Sequence, residues 1–210
     1  MKLYGAMLSP FVRKVALVAR EKGLTYELCR FRGRDGFFPE FLACSPFAKI
    51  PAIDDGGFTL SDSSAIVLYL DARYTAVPLI PAEPQARGRT MWFDEFSDTI
   101  LAGAGLKVLF NRLVGPKVLK VGGDEAIAAQ GERELPAIFD WLESVVPAEG
   151  WLMGEALTLA DISIASVLHS LTFVQQWPRA DYPRTLAWYE RMAARPSWQA
   201  VVAEEFPIPA

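Results

Sequence analysis

Residues 2–31, KLYGAMLSPFVRKVALVAREKGLTYELCRF, decide the fold of this 210-residue chain. The opening KLYGA is a short apolar stretch that suits a strand, and residues 10–22 carry apolar side chains at helical spacing. Pro10 suits the first helical position, and Gly23 suits the helix end. Residues 26–31 alternate as a strand does. The order strand, helix, strand predicts a βαβ unit with a right-handed crossover.

A hairpin and a helix follow after an irregular arm at residues 32–48. The stretch IPAIDDGGFTL predicts two short strands joined at Gly56-Gly57, a strong turn signal. The next stretch, SDSSAIVLYLDARY, predicts a helix with Ser61 or Asp62 as its cap. Residues 1–76 therefore predict an α/β domain that consists of a βαβ unit, an arm and a ββα unit.

The rest of the chain predicts a second, all-helical domain. Residues 77–86 contain three prolines and no hydrophobic periodicity, which is typical of a linker. Residues 87–210 show helical spacing almost throughout, so we expect an all-α helical bundle there. The fold class predicted from the residues is an α/β domain followed by a helical bundle.

Composition limits the functions that the chain can have. The net charge of −4 argues against nucleic acid as the main partner. The longest apolar run, residues 65–70, is too short to cross a membrane, and Arg13 and Lys14 interrupt the N-terminal apolar stretch too early for a signal peptide. A cytoplasmic protein without membrane partners is the expectation. With two scattered cysteines and one histidine, we expect two inert thiols and no metal site.

Three places in the first domain carry polar groups that could bind a ligand. Ile50-Pro51 enters the hairpin, where an ordinary trans proline and a cis bond are both possible. A cis bond would turn the backbone N–H and C=O of Ile50 outward to pair with a peptide-like ligand. Asp62 and Ser63 begin a helix, so they form either a cap alone or a site for a carboxylate beside an ammonium group.

Ser9 precedes the first helix and has two possible roles. Its hydroxyl either caps the helix or donates a hydrogen bond to a bound anion. No histidine lies nearby in the sequence, so a nucleophilic serine is poorly supported. A thiolate is one anion that a helix start and a hydroxyl would stabilise, because both lower the pKa of a thiol.

Features of the helical half are interpreted as structural. Thr158 and Asp161 have the spacing of a capping box, with Asp in place of the usual Glu or Gln. His169 is expected to be a packed or partly exposed residue. The aromatic stripe Trp92, Phe93 and Phe96 is interpreted as core or interface before substrate pocket.

Four motifs in the same order and spacing give the chain a resemblance to a known family. SPFVRKV, KIPAI, LSDSSAI and LTLADISIAS resemble segments of the soluble glutathione transferases, in a bacterial-like form with serine at the thiol-activating position. The resemblance covers nearly the whole chain. It implies a thioredoxin-like glutathione-binding domain at residues 1–76, an all-helical domain at 87–210 that contributes the electrophile pocket, and a homodimer.

The resemblance also implies roles for individual residues. Ser9 matches the serine that stabilises the glutathione thiolate, and the proline that matches Pro51 is cis in the family. The backbone of Ile50 would pair with the cysteinyl unit, and Lys49 would reach the glycyl carboxylate. Asp62 and Ser63 match the acidic-serine pair that holds the γ-glutamyl head, although many relatives have Glu in place of Asp62. Phe11, Arg32 and Arg34 are expected neighbours of the site without an assigned role.

The function that the resemblance implies is conjugation of glutathione, as co-substrate and without a metal, to small apolar electrophiles. Relatives with Cys in place of Ser9 resemble thiol-disulfide enzymes, and Ser favours conjugation or reduction by bound glutathione itself. Peroxidase, dehalogenase or isomerase chemistry on the same scaffold remains open. A non-catalytic ligand-binding or interaction module is the alternative from a different class.

Overall fold

The computed structural model describes residues 1–30, 39–177 and 179–205, which fall into two compact units. The first unit begins with the predicted βαβ order and continues through the predicted hairpin and helix. A short helix within the arm comes between them. The elements are β1 (Lys2–Tyr4), α1 (Pro10–Glu21), β2 (Glu27–Cys29), α2 (Pro39–Cys44), β3 (Ala52–Asp55), β4 (Phe58–Ser61) and α3 (Ser63–Arg73).

The four strands form one mixed sheet in the order β2-β1-β3-β4. β1 pairs with β2 in parallel, as the right-handed βαβ crossover requires, and β3 pairs antiparallel with both β1 and β4. Leu3 and Ile53 lie opposite each other and are fully buried. This sheet with its flanking helices confirms the thioredoxin-like fold of the first domain.

The first unit extends beyond the predicted domain boundary at residue 76. The Lys22 ammonium donates to the backbone C=O of Val77 at 2.7 Å, and the Leu79 N–H donates to the Asp71 carboxylate at 2.8 Å. Leu79 and Ile80 are buried. The predicted linker over 77–86 is shortened as a result, because its first residues pack on this unit and the next helix begins at Pro84.

The last helix, α9 (Pro196–Val202), also belongs to the first unit, whereas the sequence assigned it to the helical domain. It packs against α1, with Trp198 and Val201 buried, and Ser197 donates a hydrogen bond to Glu21. Helical spacing could not separate this helix from the bundle, because spacing reveals a buried face and not the element that covers it.

The second unit is all-helical, as predicted. Its fully buried residues include Val108, Ala128, Leu142, Ile164 and Trp188. Two π-helical segments, Phe96–Leu101 and Phe110–Leu119, lie on either side of the helix Ala102–Leu109. A 3₁₀ turn covers Arg179–Asp181. The helices are α4 (Pro84–Glu95), α5 (Ala102–Leu109), α6 (Glu125–Val145), α7 (Leu159–Thr172) and α8 (Pro183–Ala193).

The start of α7 contains the predicted capping box. The Asp161 carboxylate accepts hydrogen bonds from the Thr158 N–H and hydroxyl, both at 3.1 Å. It also accepts from the Leu152 N–H at 2.8 Å and from the indole N–H of Trp188 at 3.0 Å. Asp161 thus joins the chain before α7, the helix itself and α8.

Among the described residues, no helix is both long and apolar enough to span a membrane.

Candidate active site

The registers of the sheet bring three predicted ligand-binding segments to one end of the first unit. Tyr4 lies opposite Ala52, and Ala52 lies opposite Ser61. In antiparallel pairs the end of one strand meets the start of the next. The end of β1, the start of β3 and the end of β4 are therefore at the same end of the sheet. Pro51 directly precedes β3, Asp62 directly follows β4, and Ser9 follows β1 after the four residues of the β1–α1 turn.

Ser9 occupies the N-cap position of α1 without capping it through its side chain. Its backbone is extended, with φ −74° and ψ 124°, and Pro10 takes the first helical position. The structure describes every residue of the first turn of α1, and the Ser9 side chain makes no capping hydrogen bond there. The backbone N–H of Ser9 donates to Ala6 at 2.9 Å, and its C=O accepts from Arg13 N–H at 3.1 Å. Capping therefore does not account for the half-buried hydroxyl.

The Ile50–Pro51 peptide bond is cis, as the resemblance implies. Pro51 is buried and Ile50 is half-buried at the start of β3. Lys49, the preceding residue, is exposed, so its side chain can reach a solvent-facing carboxylate. Pairing of the Ile50 backbone with a peptide-like ligand, and of Lys49 with a carboxylate, stays a prediction.

Ser45 holds the chain that leads into the cis bond, and sequence reasoning missed it. Its buried hydroxyl donates to the C=O of Lys49 at 2.7 Å and accepts from the N–H of the same residue at 3.0 Å. Ala48, between them, has a positive φ of 52°. The only signal in the sequence was the Ser45-Pro46 pair, which is typical of a turn and does not reveal the partner.

Asp62 and Ser63 stand at the N-terminus of α3. Asp62 has a φ of 81°, and its Oδ1 accepts the N–H of Ala65 at 3.0 Å, so it is the N-cap. The structure thus selects Asp62 over Ser61 as the cap. Ser63 is the first helical residue and is 4% exposed. Backbone N–H groups and the positive end of the helix dipole favour a carboxylate at such a position.

The two helix starts are joined by a buried lysine. Lys14, one turn into α1, is 1% exposed, and its ammonium donates to the hydroxyl of Ser64 at 3.1 Å. α1 and α3 pack against each other. The contact therefore brings the helix that Ser9 begins next to the start of the helix that Ser63 begins. Arg32 and Arg34 lie outside the described residues.

Both cysteines are free thiols near the same end of the sheet. Cys44 is buried in a cluster with Tyr4, Phe41 and Ala52, and the half-buried Cys29 packs against that cluster. Burial raises the pKa of both thiols, so the thiolate that reacts with electrophiles and metals is disfavoured. This agrees with the prediction of inert thiols, and Cys29 is the less buried of the two.

The second unit has an aromatic cavity of its own. Trp92 stacks on Phe96 at 5.9 Å between ring centroids and meets Trp141 edge-on at 5.5 Å. Phe93 and Phe96 are buried, whereas Trp92 is 45% exposed. A cavity of about 590 Å³ opens here, and it is lined by Arg89, Trp92, Phe93, Trp141, Leu152 and Met153, among others. The stripe is therefore part core and part surface.

His169 packs among aromatic side chains of the second unit. The Nδ1 of His169 lies 2.6 Å from the Tyr189 hydroxyl, and the half-buried ring packs on Phe173. This agrees with a structural histidine. Across residues 1–30, 39–177 and 179–205, the structure holds no group of three or more His, Cys, Asp or Glu side chains that could bind a metal.

A thioredoxin-like unit with two helix starts and a cis-proline turn at one end of its sheet, followed by a helical unit, is the architecture that the resemblance to the glutathione transferases implies. Sequence comparison supports that class of protein. Residues 3–78 match the family model for the glutathione S-transferase N-terminal domain, and residues 124–191 match the one for the C-terminal domain.

Individual relatives extend the match to the whole chain. Glutathione S-transferase 3 of Zea mays is 36% identical over all of this chain and 96% of its own length. The structure of a glutathione S-transferase from Rhodospirillum rubrum F11 superposes with a TM-score of 0.89 at 26% identity, covering 99% of this chain and 95% of that one. FtsZ-localized protein A of Caulobacter vibrioides is 25% identical over 95% of this chain and 90% of its own.

The chain therefore belongs to the glutathione S-transferase family, and its enzyme class is that of a glutathione transferase.

Proposed function

We propose that the protein binds glutathione in the cytoplasm, stabilises its thiolate with Ser9 and conjugates it to small apolar electrophiles. The observation that carries this proposal is the convergence of Ser9, Ile50-Pro51 and Asp62-Ser63 at one end of the sheet, which follows from the strand registers. A scaffold without a ligand would not need all three segments there.

The tripeptide would be held along its length by groups with complementary charge. The first turn of α3 offers Ser63 and its backbone N–H groups to the γ-glutamyl carboxylate, and Asp62 lies next to the ammonium group. The backbone of Ile50 pairs with the cysteinyl unit as an added strand would. Lys49 is exposed and meets the glycyl carboxylate. This arrangement directs the sulfur toward the start of α1.

At the start of α1 the Ser9 hydroxyl donates a hydrogen bond to the sulfur. The thiol proton leaves to solvent, and the thiolate is stabilised by that hydrogen bond and by the helix N-terminus. The sulfur lone pair then forms a C–S bond with the electrophilic carbon. The displaced group departs with its bonding electrons, or an activated double bond takes up a proton from water. The protein contributes thiol activation and placement of the two reactants.

Affinity chromatography and a conjugation assay test this function together. The protein is passed over immobilised glutathione, eluted with free glutathione and assayed with a generic aromatic electrophile such as a chlorodinitrobenzene. We expect both retention and turnover. A protein that is neither retained nor active with several electrophiles would contradict the proposal.

A specific relative favours a second candidate, a non-catalytic interaction module. FtsZ-localized protein A carries a name that describes localisation to another protein, and this chain matches it along almost its full length. Retention on glutathione without turnover would favour this candidate. Turnover of hydroperoxides, halogenated compounds or isomerisable double bonds, without conjugation, would point to other thiolate chemistry at the same site.

We also propose that the protein is a homodimer in which Phe47 is a contact residue. Phe47 is 86% exposed beside the turn that leads to Ile50-Pro51, and Leu42 is 42% exposed in the helix before it. Phe47 is the most exposed of the large apolar side chains in the described part of the chain, so it offers a whole ring that a partner could remove from water. The aromatic cavity at Trp92 and Trp141 of a second copy is the surface proposed to receive it, since rings pack well against rings.

The expected effect of Phe47→Ser is dissociation of the dimer. Aromatic residues at the centre of an interface contribute about 2 kcal/mol or more, so we expect the dimer dissociation constant to rise about 30-fold or more. Sedimentation velocity over a concentration series measures it. Phe58→Ser is the matched control, because Phe58 is 47% exposed but already stacks on Tyr69 at 4.5 Å. Equal dissociation in both variants, or in neither, would contradict the role of Phe47.

A further inference from the structure

A buried arginine donates a hydrogen bond to the loop that carries Ser9. Arg13 is 0% exposed, and its Nη2 donates to the backbone C=O of Met7 at 2.6 Å. Met7 lies two residues before Ser9 in the turn between β1 and α1. The same turn is closed by the hydrogen bond from the Ser9 N–H to Ala6. The position of the Met7 peptide therefore constrains the backbone position of Ser9.

The charge of Arg13 is balanced by a residue at the other end of the chain. The Glu205 carboxylate accepts from Arg13 Nε at 3.1 Å and from Nη2 at 2.8 Å. Its side chain is 14% exposed. One hydrogen on Nη2 thus serves Met7, and the other serves Glu205. The Nε and Nη2 bonds both end on Oε1 of Glu205, and together they restrict rotation of the guanidinium more than a single contact would.

The residue next to Glu205 makes equally firm contacts that do not reach the loop. The Glu204 carboxylate accepts from Arg20 at 2.7 Å and from the Tyr26 hydroxyl at 2.9 Å. Its backbone C=O accepts from Arg30 at 2.5 Å. The segment after α9 is therefore fixed to the first unit at two adjacent carboxylates. Glu205 contacts Arg13, which contacts the turn that carries Ser9, whereas Glu204 contacts Arg20 and Tyr26.

We infer that Glu205 is a positioning residue for thiol activation, acting through Arg13 and the Met7 carbonyl on the Ser9 loop. The inference rests on the proposed function of Ser9. A buried guanidinium that loses its carboxylate is strongly disfavoured, so Arg13 would turn toward other acceptors and water. The Met7 carbonyl would then lose its donor, and the Ser9 hydroxyl would lose its fixed orientation toward the sulfur.

Paired substitutions of the two glutamates separate this positioning role from a general loss of stability. Glu205→Gln removes the charge and keeps the shape, and Glu204→Gln does the same one residue away. The assays are thermal melting, kcat and KM for glutathione, and titration of the bound glutathione thiolate by its ultraviolet absorbance. Both variants are expected to melt at lower temperature than the wild-type protein.

Only Glu205→Gln is expected to change the chemistry. We expect its kcat to fall about tenfold, since small displacements at a reacting centre can cost up to about 10²-fold. Its bound thiol should ionise at a higher pH, with KM for glutathione altered far less than kcat. Glu204→Gln should keep the kcat and the thiol titration of the wild-type protein. Identical kinetics and titration in the two variants would overturn the inference.

Two additional variants complete the test. Where Glu205→Gln does not fold, Glu205→Asp retains the charge and shortens the reach, and it is compared with Glu204→Asp in the same assays with the same expected contrast. Ser9→Ala separates a failure of the positioning role of Glu205 from a failure of the proposed function of Ser9. A shifted thiol titration in Ser9→Ala without a shift in the Glu205 variant overturns the positioning role alone. No shift in either overturns the proposed function of Ser9, and the inference with it.

Discussion

Ser9→Ala is expected to raise the pKa of enzyme-bound glutathione toward the value of a free thiol, about 8.5, and to lower kcat by about 10²-fold. The Ser9 hydroxyl is proposed as the donor to the sulfur, and removal of one such donor in an enzyme costs roughly this much. The effect on stability should be small, because within residues 9–13 this side chain makes no capping hydrogen bond. The pH dependence of kcat and absorbance titration of the bound thiolate measure both changes.

Ser9→Thr is the matched control for that experiment. It keeps a hydroxyl at the same position, and threonine is also accepted at an N-cap. We expect Ser9→Thr to retain most of the activity and a thiol pKa close to that of the wild-type protein. An unchanged pH–rate profile in Ser9→Ala, with normal folding, would reject Ser9 as the activating residue.

Asp161→Ala is expected to produce the largest loss of stability among the substitutions considered. Its carboxylate accepts hydrogen bonds from Leu152, Thr158 and Trp188, and the residue is fully buried. Burial raises the pKa of this carboxyl, against the hydrogen bonds that lower it. Loss of a helix cap costs about 0.5–2 kcal/mol, and each buried donor left without an acceptor adds about 1–3 kcal/mol.

We therefore expect Asp161→Ala to lower the free energy of unfolding by about 4 kcal/mol and the melting temperature by roughly 10 °C or more. Calorimetry and urea unfolding measure it. Asp124→Ala is the control, because Asp124 caps α6 through Ala126 at 2.8 Å but is exposed, and a cap alone is worth about 1 kcal/mol. A large loss of turnover in folded Asp161→Ala protein would contradict its structural role.

Local patterns in the sequence predicted the order of strands and helices from β1 to α3, but not the later segments that complete the first unit. The turn at Gly56-Gly57 and the helix end at Gly23 each depend on neighbouring residues, and both agree with the structure. The segments that bind glutathione in the proposal lie directly at strand ends or helix starts. The antiparallel registers then bring them together, so order along the chain determined which residues share one end of the sheet.

The contacts that escaped prediction join residues far apart in the sequence. Arg13 and Glu205 are 192 positions apart, and neither has a sequence signature that names the other. The same holds for α9, whose apolar face was visible but whose partner α1 was not. Ser45 was missed for a different reason, since a serine before a proline is ordinary and its two bonds to Lys49 depend on the exact path of the turn.

A crystal structure of the protein with bound glutathione would show where the sulfur lies relative to Ser9. We expect the γ-glutamyl carboxylate at Ser63 and the cysteinyl backbone paired with Ile50. We also expect the sulfur within hydrogen-bond distance of the Ser9 hydroxyl, about 3.5 Å or less. Glutathione bound elsewhere, or bound in this groove with its sulfur pointing away from Ser9, would contradict the proposed role of Ser9.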